Sequence, residues 1–362
     1  MAKRSKPVSA TDRAPAITRQ DRAVTRALTR WFAGTRRDLP WRTAPGQPRD
    51  PYLVLVSETM LQQTQVSRVV EKFAAFMQRF PTVAALAAAE IDDVLALWSG
   101  LGYYRRARNL HAAARAVVER FGGEVPRAVD DLLSLPGVGR YTAGAIAAIA
   151  HRSPAPAVDG NIQRVILRLE GAALAPTSKQ AQSLVWHRAE QLVRTATDPA
   201  EWTEGLMELG ATVCTPKSPR CAACPLESHC EARRRGLQHD IPAPKPRRPP
   251  RDVYHTVALC RDRAGRVLLE QRPPTGMWAG LWQPPTIERE KGWAAHAELK
   301  SAVGASTLRT LVHFDFQTTH RTVRVRVCGL AGVRRPKRGA FIDTEALAAL
   351  GVSNLTRRVL EY

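Results

Sequence analysis

The sequence predicts a mainly α protein with a smaller α/β domain at its C-terminal end. Three observations lead there. Apolar residues recur at helical spacing between about 22 and 238. A proline-rich break follows at 239–252. Beyond it, over 253–362, the apolar period falls to two. The 362 residues suffice for two domains, each burying its own core.

The elements follow in order. Residues 1–21 are basic with no apolar run behind them, so they read as a disordered arm and not as a secretory signal. VVEKFAAFMQRF places Val69, Val70, Phe73, Phe76, Met77 and Phe80 at helical spacing. IDDVLALWSGLGYY and RARNLHAAARAVVERFGG come next, with Gly122 and Gly123 as a stop signal. Short alanine-rich helices separated by Gly or Pro make the domain all-α. HDIPAPKPRRPPRD holds five prolines, with Lys245, Arg247, Arg248 and Arg251 among them, and reads as an extended linker. VYHTVALC and RVLLEQRP flank RDRAG, the pattern of a β-hairpin. TVRVRV, at 322–327, alternates strictly.

Charge narrows the function. The formal net charge is +21 and the pI about 10.6. Such an excess points to a polyanionic partner, and nucleic acid is the usual one. Part of it sits in tails (Lys3, Arg4 and Lys6; Arg233 to Arg235), but arginines recur through the body as well. No stretch of about 18 apolar residues lacks charge, so no membrane span is expected. A cytosolic, nucleoid-associated monomer is the expectation, and in the cytosol structural disulfides are rare.

Four of the six cysteines crowd into CTPKSPRCAACPLESHC, residues 214–230. Cys214, Cys221, Cys224 and Cys230 are separated by six, two and five residues. Structural zinc sites commonly use two close pairs, and here there is one CxxC. Four thiolates wrapped by one loop also suit a [4Fe–4S] cluster. Spacing alone leaves both open and leans toward the cluster.

LPGVGRYTAGAIAAIA begins at Leu135. Gly137 and Gly139 permit a tight turn with amides exposed at the start of a second helix, where a phosphate binds well. An ordinary interhelical turn has the same pattern. Asp159 precedes the apolar face Ile162, Val165, Ile166 and Leu169, which is the position of an N-cap. A carboxylate there is expected to stay ionised. Glu58 stands in the apolar run Leu53 to Leu61. Taken alone it reads as a solvated helix glutamate; partial burial would raise its pKa and make it a proton donor. GLGYYRRARNL offers Tyr103 as an aromatic wedge beside Leu101, whereas a tyrosine pair is also common core material.

These segments together resemble the helix-hairpin-helix, endonuclease III superfamily of DNA glycosylases. The C-x6-C-x2-C-x5-C spacing is similar to its cluster loop, and PGVG to its hairpin. SETMLQQTQV resembles the adenine-specific branch, the MutY-type adenine DNA glycosylases. Lyase members carry a lysine two residues after the second hairpin glycine; here Tyr141 stands there, and no lysine lies between Lys72 and Lys179. The resemblance therefore implies a monofunctional glycosylase that removes adenine opposite 8-oxoguanine or guanine in double-stranded DNA. It implies Glu58 as general acid and base, Asp159 facing the cationic sugar, and Tyr141 and Asn161 orienting them. It implies Gln63 and Thr64 on the opposite base, with Trp41, Arg42 and Glu204 around the adenine. It also implies a [4Fe–4S] cluster on the four cysteines, with Lys217 and Arg220 near phosphate.

EQRPPTGMWAGLWQPP resembles the C-terminal MutY domain, which is Nudix-like. No catalytic box of clustered glutamates accompanies it, so lesion recognition is expected and not hydrolysis. Relatives carry a Phe-Ser-His stretch; here the segment is HFDFQTTHRTVRVRV, with Thr319 and His320 in place of the Ser-His pair. Threonine keeps a hydroxyl for the lesion. Arg321, Arg324 and Arg326 form either a phosphate-facing or a solvated strand face. Two rivals remain: an endonuclease III-like enzyme for oxidised pyrimidines, and a non-catalytic redox-sensing DNA-binding protein.

Overall fold

The structure, a computed structural model, describes residues 17–44, 46–244, 249–333 and 336–362. The arm expected over 1–21 and the centre of the expected linker fall largely outside these residues. Twelve helices precede the linker among the described residues: α1 Arg19–Thr35, α2 Pro51–Leu61, α3 Val66–Arg79, α4 Val83–Ala87, α5 Ile91–Leu97, α6 Arg105–Phe121, α7 Val129–Leu133, α8 Arg140–Ile149, α9 Gly160–Leu169, α10 Lys179–Thr195, α11 Pro199–Thr212 and α12 Glu231–Arg234. The first helix thus begins before residue 22. Thr18 caps it, accepting from the Asp21 amide at 3.1 Å while Asp21 accepts from the Thr18 amide at 2.9 Å.

The chain divides into two compact units that cut across the helical region. One takes residues up to Asp38 together with Thr43–Arg49 and Ala143–Lys245. There α1 packs on α10 and α11, and α9 on α11, around Leu28, Ile166, Leu192 and Leu209. α9 is buried on every side over 162–169, not on one apolar face as its pattern suggests. Its polar residues Gln163, Arg164 and Arg168 are buried as well. Gly144 lets α8 meet the segment before α9: a Cβ there would stand 2.0 Å from the Pro156 carbonyl oxygen.

The other unit takes Leu39–Arg42, Asp50–Thr142 and Pro246–Tyr362. Its helical core holds Phe76 edge-on to Trp98 at 6.1 Å and to Phe80 at 5.0 Å. α6 ends where Gly122 takes the left-handed conformation, φ 64°. The C-terminal part has strands β1 Arg251–Cys260, β2 Val267–Gln271, β3 Trp282–Gln283, β4 Thr286–Arg289, β5 Thr307–Gln317, β6 Arg321–Ala331 and β7 Ala340–Ile342, with helices α13 His296–Val303 and α14 Asn354–Leu360. They form a sheet of order β4-β1-β6-β5 and a smaller one, β3-β2-β7.

The hairpin expected from VYHTVALC and RVLLEQRP does not form. Both edges of β1 are occupied, by β4 and by β6, and β2 pairs in the other sheet. A single bridge, Arg261 to Val267, closes the turn. β5 and β6 make the real hairpin, with Thr318 to His320 at its tip. Among the described residues no helix is long and apolar enough to cross a membrane.

Gly144→Ala should force α8 away from Pro156 at a cost of about 1–3 kcal/mol. A fall of several degrees in the melting temperature checks this; an unchanged melting temperature would mean the contact relaxes freely.

Candidate active site

Two carboxylates carry the chemistry expected of the chain, one in each unit. Asp50 caps α2, accepting from the Tyr52 amide at 2.8 Å, and Pro51 opens the helix. α2 is buried along most of its length, so Glu58 is 5% exposed and not solvated. Its Oε2 accepts a hydrogen bond of 2.5 Å from the Tyr141 hydroxyl. Tyr141 is the second residue of α8, immediately after the hairpin turn. The turn therefore delivers the hydroxyl that meets the buried carboxyl. Gly137 is required there: its φ is 75°, and a Cβ would lie 2.4 Å from that of Asn109. Gly139 is not required by the backbone, and no atom comes within 4 Å of where its Cβ would stand.

Asp159 caps α9, accepting from the Ile162 amide at 2.7 Å and from the Asn161 side-chain amide at 3.1 Å. The helix start was expected to keep it ionised. Burial overrides the capping amides and Arg164, and its carboxyl pKa lies above the ordinary value. Asn161 accepts from Arg164 at 3.0 Å, and Arg164 donates to the carbonyls of Gly210 and Cys214, both at 2.8 Å.

The cysteine loop rests on the same helix. Arg168 donates to the carbonyls of Ile241 at 2.8 Å, Thr215 at 2.7 Å and Pro216 at 3.0 Å, and to the Cys214 sulfur at 3.3 Å. Neither Arg164 nor Arg168 was legible as a scaffold, since arginine in an apolar helix ordinarily points to solvent. All six cysteines are free thiols. Cys214, Cys221, Cys224 and Cys230 line one pocket with Arg168. Among the described residues no three His, Cys, Asp or Glu side chains are grouped to hold a single metal ion. Four sulfurs around one pocket fit the donor set of an iron–sulfur cluster.

The remaining expected contacts sort by burial. Trp41 is 9% exposed and packs edge-on to Phe73 at 5.4 Å, and Arg42 is half-buried. Glu204 is buried, and its carboxylate is engaged by the buried Arg49, which also reaches Glu201 at 3.0 Å. Leu101 is 4% exposed, so its side chain is core, and its carbonyl accepts from Arg106 at 3.0 Å. Tyr103 is exposed with φ 48°, whereas Tyr104 is buried and donates to the Val352 carbonyl at 2.7 Å. Gln63 also has positive φ, 55°.

Arg106, unremarked in the sequence, gathers these residues. It donates to the carbonyls of Thr59 and Met60 at 2.8 Å each, of Leu101 at 3.0 Å and of Gly102 at 3.1 Å, and to the Thr64 hydroxyl at 2.9 Å. Its guanidinium sits 5.6 Å from the Tyr103 ring centre. Burial pulls its pKa down to about 10.

The Tyr103 hydroxyl meets that of Thr319 at the β5–β6 tip. Both line a groove of about 1050 Å³ that also includes Arg108, Trp278, Phe316 and His320. Along β6, Arg324 pairs with Asp252 and Asp315, and Arg326 lies over Trp293. Both arginines are thus engaged within the domain, and Arg321 stays exposed at the groove.

Residues 56–191 match the HhH-GPD superfamily base excision DNA repair protein family, and residues 256–362 the NUDIX domain family. The Mycolicibacterium smegmatis adenine DNA glycosylase is 48% identical over 58% of this chain and 69% of its own length. The chain belongs to the adenine DNA glycosylase family. The human adenine DNA glycosylase is 36% identical, over 84% of this chain and 66% of its own length. The chain spans 61% of the rat protein's length, less than two thirds. A thermostable thymine-DNA glycosylase structure matches 60% of this chain and 97% of its own, with TM-score 0.53 and 28% identity. An HhH-GPD region and a NUDIX region therefore follow one another in this chain, helical first and Nudix-like second.

Burial raises the Asp159 pKa, so charging it costs folding stability once pH passes the ordinary value of 3.8, and the cost is complete above the folded value. Asp159→Asn removes that titration. Its stability relative to the parent should therefore rise as pH increases through this window and stay level below it. A difference in unfolding free energy that does not change with pH would contradict this.

Proposed function

We propose that the chain is a monofunctional adenine DNA glycosylase acting on adenine opposite 8-oxoguanine or guanine in duplex DNA. One observation carries the reading: a buried glutamic acid held by a tyrosine at the hairpin position where a lyase has lysine. A neutral Glu58 carboxyl is the proton donor that this reading requires. The target adenine must leave the duplex before chemistry.

The roles follow from the side chains. Glu58 gives its proton to N7 of adenine. The C1′–N9 bond breaks, and its electron pair leaves with the base. The sugar becomes oxocarbenium-like, and the Asp159 carboxylate, poorly solvated, gains from the positive charge beside it. Water then adds at C1′ and its proton passes to Glu58, which restores the carboxyl. No amine attacks the sugar, so no Schiff base forms and the strand stays intact. Tyr141 orients Glu58, and Asn161 orients Asp159.

Cys214, Cys221, Cys224 and Cys230 would hold a [4Fe–4S] cluster. When bound, it supplies a rigid anchor for the loop after α11. Thr319 and His320 at the groove read the base opposite adenine, with Tyr103 as wedge and Gln63 and Thr64 beside it. Trp41, Arg42 and Glu204 shape the adenine side. The protein acts as a monomer on nucleoid DNA in the cytosol.

The test is single-turnover excision on a duplex with adenine opposite 8-oxoguanine, read with and without alkali, beside a duplex carrying an oxidised pyrimidine. Strand breaks at adenine only after alkali are expected. Cleavage of the pyrimidine duplex without alkali would favour an endonuclease III-like activity. Binding without excision of either would favour a non-catalytic role.

A further inference from the structure

The loop between β2 and β3, RPPTGMWAGL, is the strongest signal in the C-terminal sequence, yet the chemistry above gives it no task. It is tightly closed. The Gly280 amide donates to the Pro273 carbonyl at 2.9 Å, Arg272 to Leu281 at 2.9 Å, and Leu281 to Trp278 at 3.1 Å. Trp278 has φ 55°, and its ring meets those of His255 at 6.0 Å and Phe316 at 6.2 Å. Trp278 and Phe316 both line the groove that ends at Thr319 and His320.

One helical side chain reaches this loop. Arg108, in the first turn of α6, donates to the Ala279 carbonyl at 2.6 Å. The fit is built on both sides. Gly280 has φ 63°, and a Cβ on it would lie 2.1 Å from the Arg108 guanidinium. Two residues earlier on α6, Arg106 holds the Tyr103 ring. The same helix turn thus grips the wedge tyrosine on one wall of the groove and the tryptophan loop on the other.

We propose that Arg108 is a positioning residue for specificity: it fixes the spacing between Tyr103 and the Trp278 loop, and so how well the groove tells 8-oxoguanine from guanine. This rests on the glycosylase reading for the identity of the base. It does not depend on Arg108 for folding, because other contacts tie the same parts together. The Tyr104 hydroxyl bonds the Val352 carbonyl at 2.7 Å, and Arg357 bonds the Ser99 hydroxyl at 2.8 Å.

The test compares the full chain with Arg108→Ala, Arg108→Lys and Gly280→Ala. Two quantities are read for each: the Kd for duplexes with 8-oxoguanine or guanine opposite an uncleavable adenine analogue, and the single-turnover rate at saturating enzyme on the cleavable pair with guanine. A lost charge-assisted hydrogen bond predicts a fall of about tenfold in the 8-oxoguanine preference for Arg108→Ala. Partial recovery is expected for lysine, which keeps a charged donor, and a similar loss for Gly280→Ala. Equal weakening on both duplexes, or an unchanged preference in Arg108→Ala, overturns the proposal. A parent protein that binds both duplexes alike overturns it too. A parent that prefers 8-oxoguanine in binding but excises nothing sinks the glycosylase reading alone, and the loss of preference in Arg108→Ala then still supports the clamp.

Discussion

A carboxyl removed from water must find a hydrogen-bond partner or give up its charge. Glu58, at 5% exposure, meets this constraint through the Tyr141 hydroxyl. Much of its unit follows from that bond. It ties the first residues of α8 to α2, and α8 begins where the hairpin turn ends. The turn in turn needs Gly137, whose missing side chain makes room for Asn109. The element that would face the DNA backbone and the group that would act on the base are thus one construction. Moving the turn would move the tyrosine and break its hydrogen bond to the carboxyl.

The second theme is arginine used as internal scaffold. A net charge of +21 points to a polyanion. Yet Arg49, Arg164 and Arg168 are buried, and Arg106 is largely so. Arg106, Arg164 and Arg168 donate mostly to backbone carbonyls at helix ends and in loops, and Arg49 to the carboxylates of Glu201 and Glu204. A planar guanidinium presents five donors in a fixed fork, against three on a lysine ammonium, and so can hold more carbonyls at once. Arg168 fixes the cysteine loop in this way, and Arg106 the loop around Tyr103. The composition therefore overstates the charge available to a ligand, because these cations are spent on architecture.

Sequence made some of this legible and hid the rest for identifiable reasons. The helix stop at Gly122, the start of β6 and the break near 240 were visible because glycine, alternation and proline act locally. The cysteine spacing pointed to a ligand set because such sets recur at fixed intervals. What could not be read depended on tertiary partners. The burial of Leu101 and the Arg49 partner of Glu204 are two such features. The expected hairpin after the linker failed because β1 had two other neighbours in its sheet. α9 resembled a half-exposed helix, and its buried arginines could be understood only once the loop they hold was placed. Capping predicted an ionised Asp159, and burial, which no local pattern encodes, raises its pKa above the ordinary value.

The central claim is that Glu58 transfers the proton that lets adenine leave. Single-turnover excision by Glu58→Gln, on adenine opposite 8-oxoguanine, tests it most directly, with Kd for the same duplex measured alongside. Glutamine keeps the shape and can still meet Tyr141, but it has no proton to give. The account predicts a rate lower by about 10²–10⁴-fold or more with Kd nearly unchanged. A rate within a few-fold of the parent, at equal affinity, would contradict it and place the proton donor elsewhere.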